Sequence, residues 1–361
     1  MGTSTKDQAS RYSALRKSLD TDLNTNGNWV EIDTTTVGDT RAFTFGDLFS
    51  GAGGISVGLS SAKLEKVFSV EIDKDASKTI KNNFPQSLHF ESPIEEIPDE
   101  AFLDIKDKQK VNLVIGGPPC QGFSVAGLRN PHDPRNKLFQ EFVRVVKCIH
   151  PEFVVLENVP GILTMEKGAV AREIRQQFSD IGYPDMSVRI LEAAEYGVPQ
   201  LRTRAIFIAN RLGIKNPYPK PIFKRGNYKT IESAIDDLKD IPFNEATNHI
   251  GTRHSREFVE RIKKVKPGES LYETYRDAFK RQQFGAPCMT IKENHGGVHI
   301  HYELDRVLTA REMARLQTFP DDYIFFGSHK RAYWQIGNAV PCTLAEHIGL
   351  AIKASLWDAN I

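Results

Sequence analysis

The sequence has few cysteines and no long apolar run, and both absences narrow the class of protein. Its 361 residues include four cysteines, which form no Cys-x-x-Cys pair and no dense pattern, as expected in a reducing compartment. No apolar run approaches the ~18 residues of a membrane span, and the N-terminal region is too polar for a signal peptide. We therefore expect a soluble cytoplasmic protein that does not enter a membrane.

Net charge is also almost absent. The 47 Lys and Arg residues are balanced by 46 Asp and Glu residues, which leaves a formal charge of +1. Taken whole, this balance argues against a protein that coats nucleic acid and against a polybasic membrane adaptor. The average hides an asymmetry, because residues 1–100 carry 10 basic and 16 acidic side chains whereas residues 201–300 carry 19 basic and 11 acidic ones. A function must explain this local excess of positive charge.

Short apolar runs alternate with helical patterns from Arg41 onward, which is typical of an α/β fold with a parallel sheet. The first 40 residues form a polar extension rich in turn-forming residues, and we expect ordered structure to begin at Arg41. The runs predict strands at 42–49, 66–71, 111–115, 153–156, 187–191 and 205–209, and the apolar spacing predicts an amphipathic helix at 136–150. After residue 210 the chain becomes rich in Pro, Lys and Arg and resembles a linker or an irregular basic surface more than a strand–helix repeat. Helical patterns return at 309–317 and 343–356.

A glycine-rich turn follows the first predicted strand and opens a helix. Gly51, Gly53 and Gly54 let the backbone approach a ligand closely and direct helix N–H groups toward it. Glu71 stands 20 residues after Gly51, at the end of the next predicted strand, where a carboxylate can bind ribose hydroxyls. NAD and adenosyl cofactors both suit this arrangement, but the third glycine of the dinucleotide pattern is missing. The pattern indicates a nucleoside-cofactor site.

Cys120 is the candidate nucleophile. It follows the apolar strand ending at Ile115 and is held at the strand end by Pro118 and Pro119. A reactive cysteine needs exposure and a stabilised thiolate, because a free thiol with a pKa of about 8.5 is only slightly ionised at neutrality. A buried structural cysteine needs neither the flanking prolines nor the polar Gln121, so the sequence favours a nucleophile.

Five motifs, taken together and in this order, resemble those of the cytosine-C5 DNA methyltransferases. They are DLFSGAGG at 47–54, GGPPCQGFS at 116–124, ENV at 157–159, QLRTR at 200–204 and QIGNAVP at 335–341. The resemblance extends from about residue 43 to 356. It implies a Rossmann-like S-adenosylmethionine-dependent methyltransferase sheet with a smaller, inserted target-recognition domain. Residues 41–210 and the C-terminal return 306–361 would form the catalytic domain, and residues 211–305 the recognition domain.

The resemblance also implies catalytic roles. Cys120 matches the cysteine that adds to C6 of cytosine, and Glu157 matches the glutamate that binds N3 and the exocyclic amine. Arg204 is expected at the cytosine O2, and Arg202 is expected to orient the glutamate and a neighbouring phosphate. The activity implied is that of a DNA (cytosine-5-)-methyltransferase.

The cofactor pocket is assigned in the same way. Phe49 resembles the aromatic residue on the adenine, Glu71 the ribose ligand and Ile72 an apolar adenine wall. Further pocket positions are matched by Gly51, Gly53, Gly54, Pro119, Leu138 and Asn338. The alignment slips at 91–94, so the contact with the adenine amine is left unassigned.

Double-stranded DNA is the partner that the resemblance implies, and the family flips its target base out of the helix. We expect the segment 121–135 to close over DNA, with Gln121 and Ser124 near a phosphate or the vacated base position. The candidate phosphate contacts in the basic segment are Lys220, Lys224, Arg225, Lys263, Lys264 and Lys266. The triplet His295, His299 and His301 lacks a fourth metal ligand, and the family needs no metal, so we expect none.

Two other functions remain open. A branch of the family modifies tRNA with the same cysteine and glutamate, and a catalytically silent DNA-binding homologue would keep the fold. The size of the recognition region and the lack of a separate RNA-binding module favour DNA. With no accessory domain, the chain looks like a bacterial restriction–modification methylase, which we expect to be a monomer. A cognate restriction endonuclease would act alongside it without forming a stable complex.

Overall fold

A computed structural model describes residues 28–38, 42–119, 137–274, 278–292 and 298–361 of the chain. Cys120 and the predicted closing segment 121–135 lie outside these residues. Within them are strands β1 Trp29–Ile32, β2 Phe43–Leu48, β3 Leu64–Glu71, β4 Leu88–Glu91, β5 Leu113–Gly116, β6 Phe153–Asn158, β7 Ser187–Glu192, β8 Thr203–Asn210, β9 Asn216–Pro219, β10 Lys280–Arg281 and β11 His299–Ile300. The α-helices are α1 Gly54–Ser61, α2 Lys74–Asn83, α3 Asp99–Lys108, α4 Lys137–Ile149, α5 Ala169–Asp180, α6 Glu232–Ile235, α7 Arg256–Lys263, α8 Ala310–Leu316, α9 His329–Asn338 and α10 Cys342–Asp358.

A seven-stranded sheet in the order β4-β3-β2-β5-β6-β8-β7 is the centre of the fold. Strand β8 runs antiparallel to both β6 and β7, and the other neighbouring pairs are parallel. The chain runs outward from β2 to β4 and then returns to β5, so the strand order reverses beside β2. In open α/β sheets, ligands bind outside the carboxyl ends of the strands at such a point. The predicted α/β sheet and its six predicted strands are confirmed.

Helices cover both faces of the sheet. Helices α3, α4 and α5 bury their apolar stripes against one face, and α1 and α10 bury theirs against the other. In α4 the buried positions Phe139, Phe142, Val146 and Ile149 recur at helical spacing, which confirms the predicted amphipathic helix. Because both faces are covered, β5 is buried at each of its four positions, which explains its uninterrupted apolar sequence.

The prediction that ordered structure begins at Arg41 is wrong. Trp29–Ile32 forms the strand β1, which pairs in parallel with β9 in the segment that the sequence marked as irregular. Asn216 and Lys220 donate their N–H groups to the carbonyls of Asn28 and Ile32. The prolines of β9, which have no N–H group, alternate with residues that bond to β1 and therefore do not interrupt the pairing.

The last part of the chain returns to the layers that flank the central sheet. Helix α10 packs against α1 and β9, and α8 packs against α9 and α6. A third apolar cluster joins residues of the 231–302 region, such as Ile235 and Ile291, to Met313 and Ile336 of the return. Among the described helices, none is long and apolar enough to cross a membrane.

The contact between α1 and α10 depends on a glycine. A Cβ atom on Gly58 would lie 2.1 Å from the carbonyl oxygen of Cys342 and 2.6 Å from the Cβ of Ala345. Neither neighbour is the end of a flexible side chain, so any larger residue must push the two helices apart. Backbone proximity at this point holds the C-terminal return against the start of the domain.

We predict that Gly58→Ala lowers the free energy of unfolding by about 1–3 kcal/mol, the usual cost of overpacking a close helix contact. Urea unfolding monitored by circular dichroism measures the change. Gly161→Ala is the matched control, because a Cβ at Gly161 meets no atom within 4 Å. Equal losses in the two variants would show that the helix contact tolerates a side chain.

Candidate active site

The glycine turn after β2 has the backbone that its sequence predicts. Gly51 and Gly53 have φ angles of 50° and 82°, in the left-handed region that glycine favours. A Cβ on Gly53 would lie 2.6 Å from the hydroxyl oxygen of Tyr323, which itself donates a hydrogen bond to the Ala52 carbonyl at 2.6 Å. A Cβ on Gly51 would meet no atom within 4 Å. The turn is therefore closely packed at Gly53 and open at Gly51.

Glu71 fixes this turn to the next one. Its Oε2 accepts the N–H of Gly51 at 2.7 Å, and its Oε1 accepts the N–H of Asp73 at 2.8 Å. Burial raises the pKa of the Glu71 carboxyl, although the two backbone hydrogen bonds favour the charged form. The spacing of 20 residues seen in the sequence is thus realised as a direct hydrogen bond between the two turns.

The predicted cofactor residues gather at the carboxyl ends of the strands. Phe49 follows β2, Ile72 follows β3 and Pro119 follows β5, and Ile72 is 64% exposed although it is a large apolar residue. Leu138 lies half-buried in the first turn of α4. Asn338 is exposed at the end of α9, and a Cβ on Gly54 would lie 3.1 Å from the Cβ of Ala339. The C-terminal return thus reaches the glycine turn.

Glu157 and Arg204 form an ion pair across neighbouring strands. Glu157 lies on β6 opposite Ile206 of β8, and the guanidinium of Arg204 donates from Nε to Oε1 of Glu157 at 2.6 Å. Both side chains are mostly shielded, with exposed fractions of 14% and 13%. A Cβ on Gly117 would lie 2.7 Å from Oε2 of Glu157. The carboxylate therefore lies against the segment that leads to Cys120.

Asn158 attaches this segment to the glutamate strand. Its side-chain amide donates to the carbonyl of Pro118 at 3.0 Å, and its Oδ1 accepts the N–H of Val159 at 2.9 Å. The sequence analysis gave the asparagine no role, although it stands inside the ENV motif. The available signal in the sequence was a polar residue at the end of an apolar run, and in the structure Asn158 is 5% exposed.

The structure corrects the role predicted for Arg202. This side chain is 2% exposed, and it donates from Nη1 to the carbonyl of Ile291 at 2.7 Å and from Nη2 to the carbonyl of Gly337 at 3.0 Å. The arginine that pairs with Glu157 is Arg204. Arg202 instead joins the QLRTR segment to the 288–292 segment and to the end of α9.

Two buried glutamines complete this junction, and sequence reasoning assigned neither. Gln200 accepts the N–H of Ile291 at 2.9 Å and donates to Oε1 of Gln317 at 3.0 Å. Gln317 donates to the carbonyls of Ile336 and Ala339 at 2.8 and 3.1 Å. Each amide uses donors and acceptors in different segments, so the junction has a single well-defined arrangement.

Comparison with known proteins agrees with these motifs and this geometry. The profile of the family described as C-5 cytosine-specific DNA methylase matches residues 43–354. The chain belongs to this family. It is a DNA cytosine-5-methyltransferase with the fold of S-adenosylmethionine-dependent methyltransferases.

Individual relatives are similar over most of their length. The Type II methyltransferase M1.HphI of Haemophilus parahaemolyticus is 39% identical, over 86% of this chain and 87% of its own. The Type II methyltransferase M.DdeI of Desulfomicrobium norvegicum is 35% identical, over 87% and 89%. A crystal structure from E. coli, titled as a DNA modification methyltransferase encoded within a prophage, has a TM-score of 0.72 and 30% identity, covering 88% of this chain and 100% of that one.

The described candidate DNA contacts of the methylase lie on two segments of the chain. Lys220 directly follows β9, and Lys224 and Arg225 are exposed in the next turn. Lys263, Lys264 and Lys266 are exposed at the end of α7, where Lys263 forms an ion pair with Glu260 at 2.6 Å. Gln121 and Ser124 lie outside the described residues.

The histidines singled out by the sequence are interior groups of the methylase where the structure describes them. His299 and His301 are buried, and Nδ1 of His301 accepts the N–H groups of Glu303 and Leu304 at 3.0 and 3.1 Å. Burial lowers the pKa of His301 to about 4, so its imidazole is neutral near pH 7. His295 lies outside the described residues.

We predict that Glu157→Gln reduces the rate of methyl transfer by about 10²–10³-fold, because a positioned charged group is lost from a shielded site. Methyl incorporation into duplex DNA measures this rate. Glu152→Gln is the matched control, since Glu152 is a buried carboxylate at the other end of β6, ion-paired with Arg211 at 2.9 Å. The prediction fails if both variants lose activity to the same extent.

Proposed function

We propose that the chain methylates C5 of a flipped-out cytosine in a specific duplex DNA sequence through a covalent adduct with Cys120. The observation that carries the proposal is the position of the Glu157–Arg204 pair. Its carboxylate is shielded from solvent and lies against the strand end that leads directly to Cys120. A carboxylate and a guanidinium paired at this strand end suit a substrate with both hydrogen-bond donors and acceptors.

The chemistry begins with activation of the ring. The Cys120 thiolate forms a bond to C6, while Glu157 binds N3 and the exocyclic amine and supports protonation of N3 as charge develops. Arg204 binds O2 and orients the glutamate. C5 then has enamine character, and bound S-adenosylmethionine would supply it with an electrophilic methyl group and leave as S-adenosylhomocysteine. Loss of the C5 proton and cleavage of the C6–S bond release Cys120 and restore aromaticity.

The residues around the glycine turn fit S-adenosylmethionine. A Cβ on Gly51 would meet no atom within 4 Å, so a ligand can approach the turn that opens α1, and helix N–H groups favour such a ligand. The Glu71 carboxylate suits ribose hydroxyls, and exposed Ile72 offers an apolar surface to an adenine. Phe49, Pro119, Leu138 and Asn338 would complete the pocket.

The relatives named as Type II methyltransferases support a role as the protective methylase of a restriction–modification system. We propose that the recognition domain spans residues from about 220 to 305, since β9 pairs with β1 and packs on α10. We also propose that the methylase acts as a monomer, without a stable complex with an endonuclease. The residues proposed to bind the cofactor, the target base and the DNA all lie on this one chain.

Trapping on DNA tests the covalent step. Duplex DNA that contains 5-fluorocytosine should form a denaturation-resistant adduct with the parent enzyme, because fluorine cannot leave as the C5 proton does. Cys120→Ser should form no adduct while it still binds S-adenosylhomocysteine. A parent enzyme that binds DNA without forming an adduct would support the catalytically silent homologue instead.

Substrate class is tested by methyl transfer to duplex DNA and to tRNA, measured side by side with labelled S-adenosylmethionine. We expect labelling of DNA alone, and bisulfite sequencing of DNA from cells that express the protein would then reveal the target site. Labelling of tRNA alone would overturn the DNA assignment.

We predict that Lys264→Glu/Lys266→Glu weakens DNA binding and reduces the slope of log Kd against log salt by about 2, which corresponds to two lost phosphate contacts. Fluorescence anisotropy between low and physiological salt measures the slope. Lys263→Glu should have a smaller effect, because Glu260 already neutralises Lys263.

The control for this prediction is Lys106→Glu/Lys147→Glu, which reverses two exposed lysines on α3 and α4. It should leave the slope unchanged. All of these variants should bind S-adenosylhomocysteine as the parent does, and an equal loss of cofactor affinity would make the basic segment structural.

A further inference from the structure

An arginine on α9 forms ion pairs with two aspartates that follow Glu71. The Arg331 guanidinium donates from Nε to Oδ2 of Asp75 at 2.9 Å and pairs through Nη2 with Asp73. It also lies 4.3 Å from the ring centre of Trp334, one turn further along the helix. Two carboxylates and an aromatic face therefore fix the plane of this guanidinium.

The two aspartates belong to a turn whose shape is already constrained. Asp73 caps α2, since its Oδ1 accepts the N–H of Ala76 at 3.0 Å, and its own N–H is held by Glu71. Ile72, the exposed residue proposed to face the adenine, thus lies in the chain between two residues that are joined by a hydrogen bond. A displacement of Asp73 would therefore also move Glu71, through this hydrogen bond, and Ile72, through the backbone.

The charges in this turn need compensation. Glu71, Asp73 and Asp75 place three carboxylates within five residues, and the charge of Asp73 acts to raise the pKa of Glu71. Both ion pairs that the structure gives Asp73 and Asp75 go to Arg331. The guanidinium offsets repulsion that would otherwise open the turn.

The rest of α9 leads to the other wall of the pocket. Gln335 accepts a hydrogen bond from the hydroxyl of Thr79 on α2 at 2.7 Å, and the carbonyl of Gly337 is held by Arg202. The next residue is Asn338. Seven residues of helix, about 10 Å, separate Arg331 from Asn338, so the helix spans the distance between the two walls.

We propose that Arg331 is a positioning residue for S-adenosylmethionine, which sets the spacing between the Glu71–Ile72 turn and Asn338. The proposal rests on the cofactor site of the proposed function. Arg331 touches neither substrate nor reacting atom and acts through Asp73 and Asp75. Its loss weakens cofactor binding more than it slows the chemical step.

A purely structural arginine gives a different result, and the chain contains one for comparison. Arg315 on α8 also bridges two aspartates, Asp237 and Asp321, with its Nη2 at 2.7 Å from Oδ2 of Asp321. Neither of these aspartates belongs to the cofactor turn. Arg315→Ala removes the same kind of double ion pair without disturbing Glu71 or Ile72.

The experiment measures the Kd of S-adenosylhomocysteine by isothermal titration calorimetry, with the KM for S-adenosylmethionine, kcat and the thermal midpoint of each variant. Arg331→Ala should raise the Kd and KM by about tenfold and change kcat by about twofold or less. Arg331→Lys keeps the charge and loses the planar fork, so it should recover part of the affinity. Arg315→Ala should lower the thermal midpoint and leave the Kd unchanged.

Asp75→Asn provides a milder test if Arg331→Ala does not fold, because it removes one acceptor and keeps the Asp73 cap. It should raise the Kd about threefold, within the range of such couplings. The inference is overturned if the parent binds S-adenosylhomocysteine and the Arg331 or Asp75 variants bind it equally well. If the parent itself does not bind this ligand, the proposed cofactor is wrong.

Discussion

Close backbone contact between the first helix and the last one determines whether this fold can build a site. The C-terminal return supplies Asn338, the carbonyl held by Arg202 and the tyrosine that supports the glycine turn. Close packing of α10 against α1, where Gly58 has no side chain, helps to hold these groups at the carboxyl edge of the sheet. The segment from β2 to β8 therefore does not form the proposed pocket alone, because Tyr323, Gly337 and Asn338 come from the C-terminal return.

The segment that precedes Arg204 is held largely by backbone carbonyls. Gln200 and Arg202 direct their donors to main-chain oxygens of three different segments. Buried polar groups are costly when unpaired, so this junction favours one arrangement of the segments strongly. Arg204, two residues later, is the second residue of β8, and the antiparallel register with β6 places it beside Glu157. The geometry of the Glu157–Arg204 ion pair is therefore set by the hydrogen bonds of Gln200 and Arg202 and by the pairing of β6 with β8.

Parallel strands buried on both faces are the part of this fold that sequence reasoning predicts well, because they are nearly continuous apolar runs. Strand β4 at the sheet edge is partly exposed at every position and escaped prediction, and β9 escaped it because proline suggested a linker. Motifs named Glu157 and Arg204, but their contact arises from strand pairing between segments 47 residues apart in sequence. The partners of Arg202 were not evident from its motif. Its guanidinium is held by the carbonyls of Ile291 and Gly337, which lie 89 and 135 residues further along the chain.

Helix α9 connects the two halves of the site physically. Near its start, Arg331 forms ion pairs with the turn after β3, and in its middle Gln335 contacts α2. Near its end, the carbonyl of Gly337 accepts a hydrogen bond from the guanidinium of Arg202. A cofactor bound against the β3 turn and a base bound beside Arg204 would therefore both rest on elements attached to one rigid helix. Methyl transfer requires donor and acceptor carbon to be aligned closely, and misplacement by about 1 Å can cost 10²-fold in rate. A shared helix meets this requirement with fewer independent motions than two walls supported separately, which gives a physical reason for the chain to return to its beginning.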